Sequence, residues 1–208
     1  MGEKCELEHI AQAICSINGY TYIRYLDAGT FKETYEISLK STCYALKVFK
    51  ANNSSERTER EIDAMQRVRC ENVSQLYKVD YINIDGILYL YLVEEFLAGG
   101  SLRTLINVSA LSRDEVISIG RDLLNALSTT YLQHIVHRDI KPDNVMFRKE
   151  RAEAVLIDFG LVRNLDASSL TQAFFERGPG TALYSAPEQL NNNKALIDWR
   201  TDQTCLHA

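Results

Sequence analysis

The side chains with the clearest chemistry lie in one stretch of eight residues, His137 to Asn144. The stretch places a carboxylate at Asp139, an ammonium group two residues later at Lys141 and an amide at Asn144. Transfer of a phosphoryl group needs an acceptor for the proton of the attacking hydroxyl, a positive charge near the transferred group and oxygen ligands for magnesium. Asp139, Lys141 and Asn144 can supply these in that order, so the stretch predicts phosphoryl transfer.

A second carboxylate for the same metal ion follows 14 residues after Asn144. Asp158 opens the sequence Asp158-Phe159-Gly160, and the apolar run Val155-Leu156-Ile157 before it predicts a buried strand. Residues 144–147 and 154–158 together predict a short hairpin that carries both metal ligands. Asn144 and Asp158 are therefore the predicted magnesium ligands.

These two motifs resemble the catalytic loop and the metal-binding motif of eukaryotic-type (Hanks-type) protein kinases. Lys141 and the later pair Gly180-Thr181 resemble the serine/threonine group rather than the tyrosine group. The resemblance implies an α+β, bilobal protein-kinase-like fold. It also implies an enzyme, a serine/threonine protein kinase that transfers the γ-phosphoryl group of ATP, with Mg2+, to Ser or Thr hydroxyls of a protein substrate.

The upstream segments fit the smaller lobe of such a fold. Five segments rich in Tyr, Ile and Val, with turn signals between them, predict antiparallel strands at residues 20–26, 34–38, 43–49, 76–82 and 88–94. A helix is predicted to begin near Ser54 or Ser55, with Ile62, Met65 and Val68 on its apolar face. The predicted N-lobe is therefore a five-stranded antiparallel sheet with one helix.

The glycines of Ala98-Gly99-Gly100-Ser101 suit a flexible junction, and the boundary between the lobes is predicted there. The predicted regions are an N-terminal extension (1–19), the N-lobe (20–97) and a partial, mainly helical C-lobe (98–208). Ser112 and Glu115 form a capping box that begins the main helix of the C-lobe. Its predicted apolar face consists of Val116, Gly120, Leu123, Leu124, Leu127 and Tyr131.

The resemblance also assigns the contacts to the nucleotide phosphates. Tyr44-Ala45-Leu46-Lys47 is similar to the strand whose lysine holds the α and β phosphates, and Arg60-Glu61-Ile62 to the helix whose glutamate orients that lysine. One residue departs from the family pattern, because Glu94 stands where the family has an apolar residue or threonine. A buried carboxylate there needs a partner, and Lys47 is one candidate, in competition with Glu61.

For the adenine, the resemblance implies contacts from Ala45 on one side and Met146 on the other. It implies that Glu95 and Leu97 offer backbone groups to the polar edge of the base. Ordinary packing explains the same residues equally well.

The loop that covers the phosphates is the poorest match to the family. Residues 26–34 keep only the central glycine of the three in the pattern, so Gly29 and Phe31 are its predicted contacts. Glycines let backbone N–H groups approach phosphate oxygens, and their loss predicts a weaker clamp. Lys32 is a candidate to offset this loss with its charge.

Residues 180–188 resemble the segment that closes a kinase activation loop and receives the substrate peptide. The resemblance implies that Thr181 hydrogen-bonds near Asp139 and Lys141, and that Arg138 pairs with a phosphate on the loop. The candidate phosphorylation sites are Ser168, Ser169 and Thr171, and unmodified loop polarity is the alternative. Glu188 has no obvious arginine partner in the sequence, and Asp202 resembles the aspartate that holds the backbone of the His137 loop.

The resemblance extends over residues 20–202, about the first two-thirds of a kinase domain. The sequence is therefore expected to be truncated near the start of the central C-lobe helix, as a fragment, as a natural truncation or with a partner that completes the lobe. Two other functions stay open. A pseudokinase or nucleotide-binding regulatory module fits the altered glycine loop, and a kinase of small molecules would share the base and the metal ligands.

Composition excludes several other classes. With 23 basic and 28 acidic residues, the net charge of -5 disfavours binding to nucleic acid or to an anionic membrane. The five cysteines include no C-x-x-C pair, which indicates neither a disulfide framework nor a zinc site. No signal peptide or membrane-spanning run is predicted. We expect a soluble protein of the reducing cytoplasm.

Overall fold

The computed structural model describes residues 5–29, 31–50, 62–63, 65–159, 163–164, 183–191 and 193–204. The chain divides into two compact units, which are described separately. Unit 1 comprises Met1–Thr58 and Gln75–Phe96, and unit 2 comprises Glu59–Ser74 and Leu97–Ala208. The segment from residue 59 to residue 74, which the sequence analysis placed in the N-lobe, thus groups with unit 2. No helix in the described part of the chain is both long and apolar enough to cross a bilayer.

Unit 1 is built on a five-stranded antiparallel sheet in the order β1-β2-β3-β5-β4. The strands are β1 (Thr21–Ala28), β2 (Lys32–Leu39), β3 (Thr42–Phe49), β4 (Leu76–Ile84) and β5 (Ile87–Glu95). Segments rich in Tyr, Ile and Val between turn signals predict these strands, and the five predicted strands are confirmed with ends within two residues.

A helix that the sequence analysis did not predict covers one face of this sheet. Residues 1–19 were expected to be an extension, but α1 (Glu8–Asn18) packs its apolar side into the core of unit 1. The helix ends at Gly19, whose φ of +72° is the left-handed conformation that glycine adopts at helix ends. The core residues are Ile10, Ala11, Ile14 and Cys15 of α1 with Tyr35, Ile37, Leu46, Val48, Tyr89, Tyr91 and Val93 of the sheet.

The other face of the sheet carries polar side chains in cross-strand register. Glu36, Ala45 and Glu94 form one row across β2, β3 and β5. Thr34 and Leu92 flank Lys47 in the next row of the same face. Because side chains alternate between the two faces of a strand, α1 and Lys47 belong to opposite faces.

Unit 2 is mainly helical and contains short strands. Its helices are α2 (Leu102–Val108), α3 (Arg113–Leu132), α4 (Pro187–Leu190) and α5 (Trp199–Thr204), with 3-10 turns at Pro142–Asn144 and Lys194–Leu196. Its strands are β6 (Ile135–Val136), β7 (Val145–Lys149), β8 (Ala152–Leu156) and β9 (Arg163–Asn164); β6 pairs with β9 and β7 with β8. Residues 62–63 and 65–67 are helical, with Met65 and Val68 buried, and the predicted start of that helix lies outside the described residues.

The predicted capping box of α3 is confirmed. Ser112 Oγ accepts a hydrogen bond from Glu115 N at 3.3 Å, and Glu115 Oε2 accepts one from Ser112 N at 2.7 Å. Such reciprocal bonds satisfy N–H groups that have no partner inside the helix. The sequence signal alone therefore located the start of this helix.

The predicted apolar face of α3 is partly wrong. Its buried side consists of Ile119, Leu123, Ala126, Leu127 and Thr130, whereas Val116, Leu124 and Tyr131 are more than half exposed. The apolar residues encircle more of α3 than one packing surface can cover. Contact with the β7–β8 hairpin, where Ala154 N donates to Asp122 Oδ2 at 2.9 Å, selects the buried side.

The glycines of the predicted junction also have a steric role. Gly99 N donates to Phe147 O at 2.8 Å, and a Cβ at Gly99 would lie 2.5 Å from Lys149 O. Real Cβ atoms do not approach a carbonyl oxygen so closely, so only glycine fits beside β7. Flexibility was the expected reason for Gly99, whereas in the structure close packing against β7 requires a glycine at this position.

Candidate active site

The loop between β6 and β7 brings together the three residues predicted for phosphoryl transfer. Lys141 Nζ donates to Asp139 Oδ2 at 2.8 Å, and Asn144 Nδ2 donates to the same oxygen at 3.0 Å. Asn144 Nδ2 also donates to the backbone oxygen of Asp139 at 2.8 Å. The Asp139 side chain keeps 14% of its surface exposed. A carboxylate held in this way is fixed in direction and still accessible to a substrate.

Asp202, at the last described helix, holds the backbone of this loop. Its carboxylate oxygens accept hydrogen bonds from His137 N and Arg138 N, both at 2.7 Å. The side chain is buried, and burial raises the pKa of Asp202, while the nearby His137 and the two backbone N–H groups act in the opposite direction. Arg138 has a φ of +66°. The two anchored N–H groups stabilise that uncommon backbone conformation.

The His137 ring connects the loop to the segment that contains Asp158. Asp139 N–H points at Nδ1 at 3.3 Å, so Nδ1 is the acceptor and Nε2 carries the proton. Nε2 then donates to Ile157 O at 3.1 Å. The ring also packs edge-on against the buried Phe159, with 4.8 Å between the ring centroids. One buried histidine therefore links the loop that contains Asp139 to the segment that contains the predicted ligand Asp158.

The β7–β8 hairpin carries the two predicted magnesium ligands at its open end, as expected. Val145 pairs with Leu156, and Ile157 N donates to Asn144 O at 2.9 Å, which places Asn144 beside the residue before Asp158. Because Asn144 Nδ2 faces Asp139, its amide oxygen points away from Asp139. Asp158 has a φ of +63° and is half-buried.

The side-chain oxygens of Asn144 and Asp158 fit Mg2+ if further oxygen ligands complete its coordination. Amide and carboxylate oxygens are hard ligands that suit Mg2+, which keeps several waters and is bound by one or two carboxylates together with substrate phosphates. Among the described residues there is no group of three or more His, Cys, Asp or Glu side chains that could hold a metal ion. Asn144 and Asp158 therefore fit an ion that takes its other oxygen ligands from a nucleotide and from water.

In unit 1, the predicted phosphate-binding lysine is buried and paired. Lys47 Nζ lies 2.8 Å from Glu94 Oε2, and the two side chains are 8% and 2% exposed. The register of β3 and β5 places Glu94 opposite Ala45, two residues from Lys47 on the same face. Glu61 lies outside the described residues. Of the two partners considered from the sequence, the structure shows Glu94.

The comparisons with known proteins agree with this geometry. The protein kinase domain family matches residues 20–202. The chain belongs to the protein kinase family. Among its relatives are a probable serine/threonine-protein kinase of Dictyostelium discoideum, 29% identical over 82% of this chain and 27% of the relative, and the probable serine/threonine-protein kinase PknB of Bifidobacterium longum, 32% identical over 76% and 24%. Another is the inhibitor of nuclear factor kappa-B kinase subunit alpha of Xenopus tropicalis, 29% identical over 77% and 22%.

These relatives place the chain with the serine/threonine group of kinases, as the sequence predicted. The chain spans about a quarter of the length of the curated relatives that it matches.

The residues predicted to contact the adenine of ATP make ordinary backbone contacts within their strands and loops. Ala45 and Glu95 lie on β3 and β5, and Glu95 N donates to Gln75 O at 2.9 Å. In unit 2, Leu97 is buried and Met146 pairs with Val155 in the β7–β8 hairpin. Their nucleotide-binding roles stay predictions.

The loop predicted to cover the phosphates connects β1 to β2. Gly29 N donates to Lys32 O at 2.8 Å, and Phe31 O accepts from Lys50 N at 2.9 Å. The Phe31 ring is 41% exposed. Lys32 Nζ lies 5.5 Å from the centroid of the Phe49 ring, on the sheet face that carries Lys47. Charge on this face is therefore present at Lys32 as well as at Lys47.

The end of the kinase activation segment reaches back to the catalytic loop. Gln189 Nε2 donates to Arg138 O at 2.7 Å, and Glu188 Oε1 accepts from Thr201 Oγ1 at 2.6 Å. The sequence offered no arginine partner for Glu188, and in the structure Thr201 is its hydrogen-bond partner. Thr181 and the candidate phosphorylation sites at Ser168, Ser169 and Thr171 lie outside the described residues.

Sequence reasoning missed two residues that shape the site. Gln189 was not considered, although its amide holds the carbonyl of Arg138 and its Oε1 accepts from Ala186 N at 3.2 Å. His137 was predicted only as part of the motif, and its hydrogen bond to Ile157 O was not predicted. No local pattern signals the bond from Gln189 to Arg138 or the bond from His137 to Ile157, because each joins residues far apart in the chain.

Proposed function

We propose that the chain acts as a serine/threonine protein kinase that uses ATP and Mg2+ and transfers the γ-phosphoryl group to hydroxyl groups of a protein substrate. The observation that supports this most directly is the Asp139 carboxylate, held at one oxygen by Lys141 and Asn144 and still accessible. A general base must be accessible to the substrate proton and fixed in direction. Asp139 meets both conditions.

Each of the predicted site residues has a separate role in the proposed transfer. Asp139 orients the substrate hydroxyl and accepts its proton. The ammonium group of Lys141, next to that carboxylate, lowers the energy of negative charge on the transferred group. Asn144 and Asp158 would hold Mg2+, which neutralises charge on the phosphates when it is bound. Lys47 would hold the α and β phosphates.

The proposed substrate is a protein, with no role for nucleic acid or membrane, because the net charge is -5. We also propose a cytoplasmic location. No disulfide joins the cysteines in the described residues, which suits a reducing compartment.

A nucleotide-binding module without turnover is the second candidate. The observation that favours it is the Lys47–Glu94 pair, which occupies the phosphate-binding lysine, together with a loop that keeps one glycine of three. Both features weaken phosphate binding without touching the catalytic loop.

Calorimetric titration and a transfer assay separate these functions. We expect ATP to bind more tightly with Mg2+ than with a chelator, and Asp158→Asn to remove that difference. Asp143→Asn is the matched control, because Asp143 is a half-exposed carboxylate of the same loop and pairs with Arg103. Transfer of labelled phosphate to a serine/threonine protein substrate supports the kinase. Binding without transfer supports the second candidate, and no binding by a folded sample contradicts both.

A further inference from the structure

The Lys47–Glu94 contact is the most deeply buried ion pair in the described part of unit 1. The two side chains are 8% and 2% exposed, and the charged atoms are 2.8 Å apart. Apart from that carboxylate, Lys47 Nζ has no hydrogen-bond partner among the residues that the structure describes. Taking two charges out of water is costly, and their mutual attraction offsets that cost only while both are present, so removing one partner leaves an uncompensated charge.

A second glutamate on the same face shows that this pairing is specific. Ala45 has Glu36 on one side and Glu94 on the other. Glu36 pairs with Arg24 at 2.7 Å, and Arg24 is 64% exposed. The pair at Glu36 is thus open to solvent on one side, whereas the pair at Glu94 is closed. Solvent weakens the first pair much more than the second.

We infer that Glu94 is a built-in counter-ion of Lys47 that competes with nucleotide phosphate for the ammonium group. This inference rests on the proposed function, which assigns Lys47 to the α and β phosphates. Glu94 is fixed by the β3–β5 register, so a phosphate that approaches Lys47 meets a second negative charge. The repulsion lowers affinity for the polyphosphate and leaves binding of the base unchanged. Glu94 is therefore a positioning residue that sets the strength of nucleotide binding through Lys47.

The experiment compares adenosine, Mg-ADP and Mg-ATP binding by calorimetry in the wild type, Glu94→Gln and Glu36→Gln. Glutamine keeps the size of the side chain and removes its charge. We expect Glu94→Gln to bind Mg-ADP and Mg-ATP about 10-fold more tightly, in line with the cost of like charges at a binding site. Adenosine affinity should stay unchanged. Glu36→Gln, the same substitution in the same row of the sheet, should leave all three affinities unchanged.

The Lys47→Met background tests whether Glu94 acts through Lys47. In that background Glu94→Gln should give no gain, because the residue for which carboxylate and phosphate compete is absent. Should Glu94→Gln fail to fold, Glu94→Thr, a smaller polar side chain that the family pattern allows at this position, leaves room for water beside Lys47 Nζ and should give the same gain. Thermal melts verify folding for every variant.

The outcomes distinguish this inference from the proposed function. Wild-type binding with no gain in Glu94→Gln overturns the inference alone. An equal gain for adenosine also overturns it, since Glu94 would then act on the base. If no folded variant binds any nucleotide, the proposed function is wrong and the inference falls with it.

Discussion

The two units hold their functional side chains by different means. In unit 2, Asp139, Lys141 and Asn144 come from one short stretch and bond to one another directly. In unit 1, Lys47 meets Glu94 only because β3 and β5 are neighbours in the sheet. A short motif can specify the first arrangement almost completely. The second depends on strand order, which residues near Lys47 do not encode.

The largest expected effect tests whether the loss of a functional side chain in unit 2 lowers turnover without changing nucleotide binding. Asp139→Asn removes the proton acceptor and keeps the shape of the side chain, and loss of a general base costs on the order of 100- to 10,000-fold in rate. We expect this loss in phosphoryl transfer, with Mg-ATP affinity within about twofold of wild type, because the proposed contact of Asp139 is with the substrate hydroxyl and not with the nucleotide. Transfer assays and calorimetry on the same samples measure both. Unchanged transfer would show that Asp139 is not the base.

The next effect tests whether α1 is an integral part of unit 1. Ile14 is fully buried against the sheet, whereas Ile17 on the same helix is 70% exposed. We expect Ile14→Ala to lower the free energy of unfolding by about 2–5 kcal/mol. The matched change Ile17→Ala should stay within about 0.5 kcal/mol. Urea unfolding of both variants provides the measurement, and equal costs would mean that α1 does not pack on the sheet.

A smaller effect is expected where unit 2 depends on a distant residue. Asp202→Asn presents an N–H group to one of the two backbone donors at His137 and Arg138, which leaves a buried donor unsatisfied. The expected loss of stability is about 1–3 kcal/mol. Asp198→Asn is the control, because Asp198 pairs with the exposed Arg200 and should change stability by less than about 1 kcal/mol. Denaturant midpoints compare the two, and equal losses would argue against the buried anchor.

The smallest effect is a pH dependence at the start of α3. The Arg151 guanidinium, followed by the bonds from Ser112, lowers the pKa of Glu115 from 4.5 to about 2. Because the folded pKa is lower than the unfolded one, the stabilisation is present above pH 4.5 and is lost as the pH falls towards 2. We expect wild type to melt about 1–2 °C above Glu115→Gln at pH 7. The gap should shrink as the pH falls from 4.5 to about 2, and in high salt, and a pH-independent gap would contradict the assignment.

Much of the fold could be predicted from the sequence where the signal is local. Segments rich in Tyr, Ile and Val between turn signals predicted the five strands, and the capping box of Ser112 and Glu115 predicted the start of α3. The apolar run before Asp158 correctly indicated the β7–β8 hairpin. Even Asp202, at the other end of unit 2, followed from its resemblance to an aspartate that holds the catalytic loop. Its two bonds to the loop confirm that anchoring role.

The features that the sequence analysis missed depend on residues distant in the chain. The residue before α1 is Leu7, which has no side-chain acceptor for the first N–H groups of the helix. Glu33 on β2 instead holds the backbone just before the helix, because its carboxylate accepts from Glu6 N and Leu7 N, both at 3.1 Å. No start signal for α1 therefore exists near residue 8. For the same reason, the predicted buried side of α3 was partly wrong, and the partner of Lys47 stayed open between Glu94 and Glu61.

The packing of α1 also sets an order of events during synthesis. Ile10 and Ile14 leave the ribosome about 80 residues before Tyr91 and Val93, with which they share a core. At roughly 5–20 residues per second, that delay is about 4 to 16 s. During this time the apolar side of α1 has no complete sheet to cover, and it is a surface to which a chaperone can bind. Helix α1 is made before the sheet of unit 1, yet it is among the last elements of that unit to be fully buried.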